Sequence, residues 1–163
     1  MKSLVVYYSS SGNTRKVAKT LCGYLARYGT GQEVDLVPID PPRSFFGQCQ
    51  AAFWQRKARL ADMSFECSGY DLVCVGTPVW AFGPAPAVNA FLAKATGIAG
   101  KKIVLFNTHG GGPGIDRCLG IMRKALAAKA ADVILSVAIY QERSPDQEFV
   151  LQQFAPVAQW IGH

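Results

Sequence analysis

The chain has 163 residues, half of them hydrophobic, which is the size of one domain with room for a substantial core. Its formal net charge is +6, but most lysines and arginines are spread singly or in pairs along helical patterns, which indicates solvated helix faces and argues against a nucleic-acid partner. The five cysteines show neither a redox C-x-x-C nor a zinc-like spacing, and no apolar stretch approaches the roughly 20 residues of a membrane-spanning helix.

These properties predict a single domain over residues 1–163, without a metal site or a membrane span. The first strand-like run begins a few residues after Met1, with no charged leader or cleavage site before it. Scattered cysteines fit a reducing compartment. We therefore expect a cytoplasmic protein.

Short apolar, β-branched runs alternate with helical patterns along the chain. The predicted strands are 4–8, 34–39, 72–75, 103–106 and 133–139. The predicted helices cover about 14–28, 50–60, 86–97, 115–126 and 146–160. Such alternation predicts an α/β fold, a doubly wound parallel sheet with helices on both faces. Open sheets of this kind bind ligands beyond the carboxyl ends of their strands, so we expect the chemistry after the first, third and fourth strands.

The first of these segments, Ser9-Ser10-Ser11-Gly12-Asn13-Thr14, leads from a strand directly into a helix. Amide groups at a helix N-terminus, supplemented by hydroxyls, bind a phosphate without a lysine, and glycine permits close backbone approach. The spacings of the nucleotide-hydrolase loop and of G-x-G-x-x-G are both absent. The alternative is a polar turn in which a serine caps the helix, and the loop by itself does not decide between the two.

The loop resembles the phosphate loop of the flavodoxin family, [ST]-x-[ST]-G-x-[ST], and Ser9, Ser11, Gly12 and Thr14 fill that pattern. The resemblance extends to the segments 76–86 and 107–112, where the family contacts its flavin ring, and so covers nearly the whole chain. It implies a flavodoxin-like, five-stranded sheet of order 2-1-3-4-5 that binds FMN. The cofactor-binding residues that it implies are Ser9, Ser10, Ser11, Gly12, Asn13, Thr14, Thr77, Pro78, Val79, Trp80, Ala81, Phe82, Gly83, Asn107, Thr108, His109, Gly110 and Gly111.

The aromatic side chain at the end of the third strand supports this interpretation on physical grounds. Trp80 stands among prolines and small residues, and an exposed tryptophan there is suited to stack on a flat heteroaromatic ring. The alternative is a tryptophan packed into the core under its own loop. The glycines after Asn107 similarly indicate close backbone approach to a ligand, with an ordinary flexible turn as the alternative.

Two features depart from the flavodoxins that carry electrons. No Asp or Glu occurs in residues 1–32 or 72–114, so a flavin held there should be easier to reduce than one in an acidic site. Ala81 stands where electron carriers often have a glycine whose peptide flips, and alanine reaches positive φ only at a cost of roughly 1 kcal/mol. We therefore expect this chain to stabilise a half-reduced flavin poorly.

The loop 107–114 has only His109 among small residues, where electron carriers usually cover the flavin with an aromatic ring. An uncovered face resembles that of flavodoxin-fold NAD(P)H:quinone oxidoreductases, which implies an FMN-dependent oxidoreductase with NAD(P)H as donor and a quinone-like or other flat acceptor. His109 is the candidate proton donor, although a solvated loop histidine is the simpler interpretation. The alternative function is an electron-transfer protein whose basic surface, with Arg56, Lys57 and Arg59 in one cluster, meets an acidic redox partner. The resemblance also allows a homo-oligomer.

Overall fold

The chain's computed structural model describes residues 1–27, 31–39 and 65–161. Its five long strands are β1 Lys2–Tyr7, β2 Glu33–Pro38, β3 Leu72–Trp80, β4 Lys102–His109 and β5 Asp132–Tyr140. Its helices are α1 Asn13–Arg27, α2 Pro86–Lys94, α3 Ile115–Ala127, α4 Gln147–Phe154 and α5 Ala158–Ile161. The helix expected at 50–60 lies outside the described residues.

The long strands form one parallel sheet in the order β2-β1-β3-β4-β5. This confirms the predicted doubly wound sheet of order 2-1-3-4-5. A two-residue strand, Gly83–Pro84, returns antiparallel against the end of β3. Outside this sheet, Phe65–Glu66 pairs in parallel with Ala95–Thr96.

The sheet is covered on both faces because its central strands are apolar along most of their length. Alternate residues of β1, β3 and β4 contribute to one buried cluster with α2 and α3, and to another with α1, α4 and α5. A Cβ on Gly76 would overlap the ring of Phe106 on the neighbouring strand, so glycine is required for that ring to lie over the sheet. The two cores hold the carboxyl ends of the strands at fixed positions.

Strands β3 and β4 run beyond their predicted ends at Val75 and Phe106. Parallel pairing continues through Thr77 with Asn107 and through Pro78 with Thr108. The segments 77–80 and 107–109, which we expected in loops, are therefore strand. Because they keep a strand's alternating geometry, only some of their side chains reach the ligand edge.

The helix predicted as continuous over 146–160 is interrupted. It begins as expected, with the Asp146 side chain accepting a hydrogen bond from the Phe149 amide at 3.0 Å. The α-helix ends at Phe154 and gives way to a 3₁₀ turn, Ala155–Val157, before α5. Pro156 explains the break, because proline lacks the amide hydrogen and its ring collides with the preceding turn.

The described cysteines are free, and Cys67, Cys74 and Cys118 are buried. Burial raises the pKa of the Cys118 thiol to about 11, which leaves it protonated and unreactive. No helix in the described part of the chain is long and apolar enough to cross a membrane.

Candidate functional site

The carboxyl ends of four strands meet at one edge of the sheet and are tied together by side chains. Thr14 and Thr108 share a buried hydroxyl–hydroxyl hydrogen bond of 2.8 Å, which joins the start of α1 to the end of β4. The rings of Tyr8 and Trp80 meet edge to face, with centroids 5.5 Å apart. The structure therefore brings the three predicted segments into one site.

In the first segment, Ser9 is the residue that organises the turn. Its hydroxyl accepts hydrogen bonds from the amides of Gly12 at 3.1 Å and Arg15 at 3.3 Å. Ser9 thus caps the helix, as the alternative interpretation of the loop required. Gly12 has a φ of +91°, which favours glycine. Ser10 and Ser11 are exposed. The Ser11 hydroxyl oxygen accepts a hydrogen bond from the Asn13 side-chain amide at 3.2 Å, and its hydrogen is still able to donate to a ligand.

The start of α1 has an unusual charge distribution for a helix N-terminus. No acidic residue stands in its first turn, whereas Arg15 and Lys16 are both exposed there. The positive end of the helix dipole normally favours carboxylates, so cations in this turn cost stability unless an anion lies nearby. Amides, hydroxyls and two cations at one helix end form a site suited to a phosphate.

Besides Thr14, three of the predicted polar residues are buried and engaged with the protein. Thr77 accepts a hydrogen bond on its hydroxyl from the Ala85 amide at 2.9 Å, and Asn107 donates its side-chain amide to the Ile115 carbonyl at 3.1 Å. Together with Thr108, they are almost completely inaccessible. Their side chains fix the loops that follow β3 and β4, and any ligand contact would come from their backbone.

The segment after β3 is a tight hairpin. Trp80 pairs with Gly83, and the two residues between them, Ala81 and Phe82, have φ of 44° and 67°. Positive φ at both central positions is the signature of a type I′ turn, which usually contains Asn and Gly. Two ordinary residues in this conformation indicate local strain.

The hairpin changes which aromatic residue is exposed. Trp80, expected to be exposed, is half-buried against the core and against Tyr8. Phe82 is the exposed ring, with half of its surface accessible. A Cβ on Gly114 would lie 2.8 Å from the Phe82 Cα, so glycine at 114 lets the hairpin tip rest on the loop after β4. Val79, also predicted, pairs with Pro84 within the hairpin.

His109 ends β4 with a defined orientation. Its Nδ1 accepts a hydrogen bond from the Gly111 amide at 3.1 Å, so the neutral ring carries its proton on Nε2. Burial lowers the pKa of His109 below its ordinary value of 6.5. The neighbouring Gly110 and Gly111 are exposed, and a Cβ on Gly112 would meet nothing within 4 Å.

Two further residues belong to this edge but were not identified from the sequence. Tyr140 ends β5 opposite His109, with the two rings 5.8 Å apart, and 39% of its surface is exposed. Ser144 is fully buried, and its hydroxyl donates to the Asn13 side chain at 3.2 Å. The position of Tyr140 just after the fifth predicted strand was the signal available. Nothing in the sequence indicated Ser144.

The described residues contain no group of three or more His, Cys, Asp or Glu side chains that could hold a metal ion. The edge instead offers hydroxyls, amides and aromatic rings. These suit a flat ring system that carries a phosphate.

A family model described as flavodoxin matches residues 54–136, slightly more than half of the chain. The match includes the segments after β3 and β4, whereas 9–14 lie before it. The comparison with curated proteins found no match.

Solved structures with the same fold include electron carriers and enzymes. An NADH:FMN oxidoreductase superposes with a TM-score of 0.70 at 20% identity, covering 99% of this chain and 89% of its own. The two-electron reduced flavodoxin of Megasphaera elsdenii gives 0.63 at 20% identity, with 94% and 98% covered. The azoreductase AzrA gives 0.63 at 14% identity, with 99% of both chains covered. At these identities the likeness establishes the fold alone.

Proposed function

The chain belongs to the flavodoxin family, and on that premise we propose that it is an FMN-binding oxidoreductase that passes electrons from NAD(P)H to a quinone-like or other flat acceptor. The observation that carries the proposal is the glycine loop after β4, which is open to solvent between two exposed aromatic rings. A Cβ on Gly111 would lie 3.7 Å from the Tyr140 ring, and Gly114 abuts Phe82. The loop therefore has the Tyr140 ring at one end and the Phe82 ring at the other.

The residues at the edge fit FMN. The α1 amides with the Ser10 and Ser11 hydroxyls would hold its phosphate, supported by Arg15 and Lys16. Trp80 and the hairpin backbone would hold its ring. Bound FMN supplies the electron-transfer chemistry, and the protein supplies placement and electrostatics.

The open loop favours a flat acceptor because a Cβ built on Gly112 would meet no atom of the described residues within 4 Å. Exposed aromatic rings at both ends of such a gap offer stacking surface to a planar molecule.

His109 is the candidate hydrogen-bond or proton donor of the site. With Nδ1 engaged by the Gly111 amide, its Nε2–H is the donor that remains. A neutral imidazole donates a hydrogen bond to an oxygen on the acceptor or on the cofactor's carbonyl edge. The lowered pKa of His109 favours this neutral form at pH 7.

Anaerobic spectroscopy tests the proposal in two steps. Purified protein loaded with FMN should be yellow and retain the colour on gel filtration. Adding NADPH or NADH without air should bleach it, and a benzoquinone should restore the colour with steady-state turnover. Failure to retain FMN would contradict the cofactor, whereas retention without turnover would leave the enzyme claim wrong and favour an electron carrier.

Phe82 provides a site-specific prediction. Replacing it with alanine removes stacking surface, so Phe82→Ala should raise KM for the benzoquinone about five- to tenfold, equivalent to about 1–1.4 kcal/mol, with little change in NADPH oxidation by the bound FMN. Trp160→Ala is the matched control, because Trp160 is also exposed but lies beside Lys102 at the opposite edge of the sheet. Equal effects of the two variants would remove Phe82 from the acceptor site.

The second candidate function is an electron-transfer protein with a partner of its own. It is favoured by the basic surface of α1, where Arg15, Lys16 and Lys19 are exposed and no acid occurs before Glu33. Such a protein would reduce or oxidise an acidic partner at a rate that falls steeply with salt, because screening weakens electrostatic steering. Turnover with small quinones that is insensitive to salt favours the enzyme.

A further inference from the structure

A groove of about 870 Å³ separates α1 from α4 on one face of the sheet. It begins at Lys16 and Ser144, beside the phosphate-binding segment, and follows α1 to Arg27. This volume is in the range of ligand-binding pockets. The groove shares Lys16 and Ser144 with the candidate flavin site, and the rest of it lies along α1 and α4, away from the strand ends.

The α1 wall of the groove carries three cations without counter-ions. Lys16, Lys19 and Arg27 all line it, and none of their side chains takes part in an ion pair or hydrogen bond among the described residues. Lys16 and Arg27 are 11 positions apart, which is roughly 16 Å along a helix. The cations are therefore distributed along the groove and do not converge on one point.

The opposite wall is neutral. Gln147 and Gln152 of α4 face the cations, and no Asp or Glu of the described chain lines the groove. Two acids adjoin the lining residue Gln147 in the sequence. Asp146 is engaged by the Arg143 guanidinium at 2.9 Å and by the Phe149 amide, and Glu148 is exposed on α4 but does not line the groove. The residues that line the groove therefore carry a net positive charge.

The floor of the groove is apolar and unusually open. Tyr24, Leu151 and Ala155 line it together with Gly23, which lies in the middle of α1. Glycine weakens a helix interior relative to alanine, yet a Cβ at Gly23 would meet nothing within 4 Å. Internal packing does not require the glycine, and its effect is to let something approach the helix backbone.

We propose that this groove binds an extended, acidic segment of a partner protein that places an apolar side chain on the floor. An extended chain spans roughly 16 Å with about five residues, which matches the spread of the cations. A phosphate or nucleotide would instead need donors that converge on it. The floor supplies the apolar anchor that peptide-binding grooves require, and the α1 cations supply charge complementarity.

Fluorescence anisotropy on the intact chain tests this with a labelled peptide of alternating glutamate and leucine. The double variant Lys19→Gln/Arg27→Gln should weaken binding at least tenfold. Arg117→Gln/Lys124→Gln removes the same charge from two exposed positions of α3, outside the groove, and should change binding less than twofold. The peptide with glutamine in place of glutamate should bind at least tenfold more weakly than the acidic one.

Gly23→Ala distinguishes peptide binding in the groove from a general electrostatic attraction, because it changes the shape of the floor without changing any charge. Alanine strengthens the helix but fills the open floor, so thermal stability should rise while peptide binding falls several-fold. Equal weakening by both double variants, absence of peptide binding, or unchanged binding by Gly23→Ala would overturn the proposal. Displacement of the peptide by stoichiometric ADP would also overturn it, in favour of a nucleotide site. Because the readout is peptide binding, these outcomes are independent of whether FMN turnover is found.

Discussion

Ala81 holds a φ of 44° in the hairpin after β3, a conformation that costs an ordinary residue roughly 1–2 kcal/mol. Glycine adopts it without that cost but loses more backbone freedom on folding. Ala81→Gly should therefore raise the free energy of unfolding by about 0.5–1 kcal/mol, measured by urea denaturation. Ala127→Gly, in the last turn of α3, should lower it by a similar amount. A loss of stability in both variants would mean that the hairpin is not strained.

His109 provides a test based on pH. Burial lowers its pKa below 6.5, so protonation favours the unfolded chain. The stabilisation that results is fully present above about pH 6.5 and is lost as the pH falls through the folded-state pKa. An NMR titration of the imidazole should give a midpoint below that of the same histidine in urea. Tyr140→Ala removes the neighbouring ring and should move the midpoint back toward 6.5. Identical midpoints in folded and unfolded protein would contradict the structure.

At the scale of single elements, the charges in the first turn of α1 favour a bound anion. Without that anion they destabilise the helix. Arg15→Glu should raise the free energy of unfolding of the FMN-free protein by about 0.3–1 kcal/mol, because a carboxylate complements the helix dipole. The same change should weaken FMN binding about tenfold, or about 1.4 kcal/mol, by placing an anion beside the phosphate. Urea denaturation and flavin fluorescence measure the two effects.

The matched control for Arg15 is Lys124→Glu, in the last turn of α3. There the dipole favours a cation, so the reversal should lower stability and leave FMN binding unchanged. If Arg15→Glu left FMN binding unchanged as well, the phosphate would not lie at α1.

Elements built from local patterns were predictable, and contacts between distant segments were not. Apolar runs and helical spacing predicted the five strands and a parallel sheet, because parallel strands are buried on both faces. The order of the sheet was predicted by the resemblance to the flavodoxin family. The ends of β3 and β4 were missed because pairing of Thr77 with Asn107, and not local propensity, decides where they stop. Likewise, the hydrogen bond between Thr14 and Thr108 joins positions 94 residues apart.

The hairpin shows why the aromatic residues of the site were only partly predictable. Trp80 and Phe82 both follow an apolar strand, and the sequence favoured Trp80 as the exposed ring. The turn conformation at Ala81 and Phe82 reverses the chain and leaves Phe82 outside. A type I′ turn without Asn or Gly carries no sequence signal, so only the structure reveals it.

For the molecule as a whole, the sequence indicated a surplus of positive charge but not its location. The groove between α1 and α4 depends on how far apart two helices pack, which residue patterns do not determine. Residue patterns likewise did not show which acids lie near the candidate flavin site. Asp116 and Glu142 are exposed in the segments that follow β4 and β5, and an arginine, Arg117 or Arg143, follows each of them.

This charge distribution predicts a bound flavin that is easier to reduce than one in an acidic site, because a nearby anion opposes formation of the reduced flavin anion. Gln141 is suited to test it, since its side chain lies 3.4 Å from a Cβ built on Gly110. Gln141→Glu adds one charge without changing shape. At about 10 Å and an effective dielectric of about 20–80, that charge contributes roughly 0.4–1.7 kcal/mol, which is about 10–35 mV for two electrons.

Equilibrium redox titration with a reference dye should therefore give a midpoint potential lower by about 10–35 mV in Gln141→Glu, a difference that shrinks at high salt. Gln152→Glu makes the same change on α4, in the groove and away from the strand ends, and should leave the potential within about 10 mV of the parent value. If both variants shifted the potential equally, net charge alone would govern it. A parent midpoint as low as that of an acidic flavodoxin would contradict the premise, because acid-free loops would then not raise the potential.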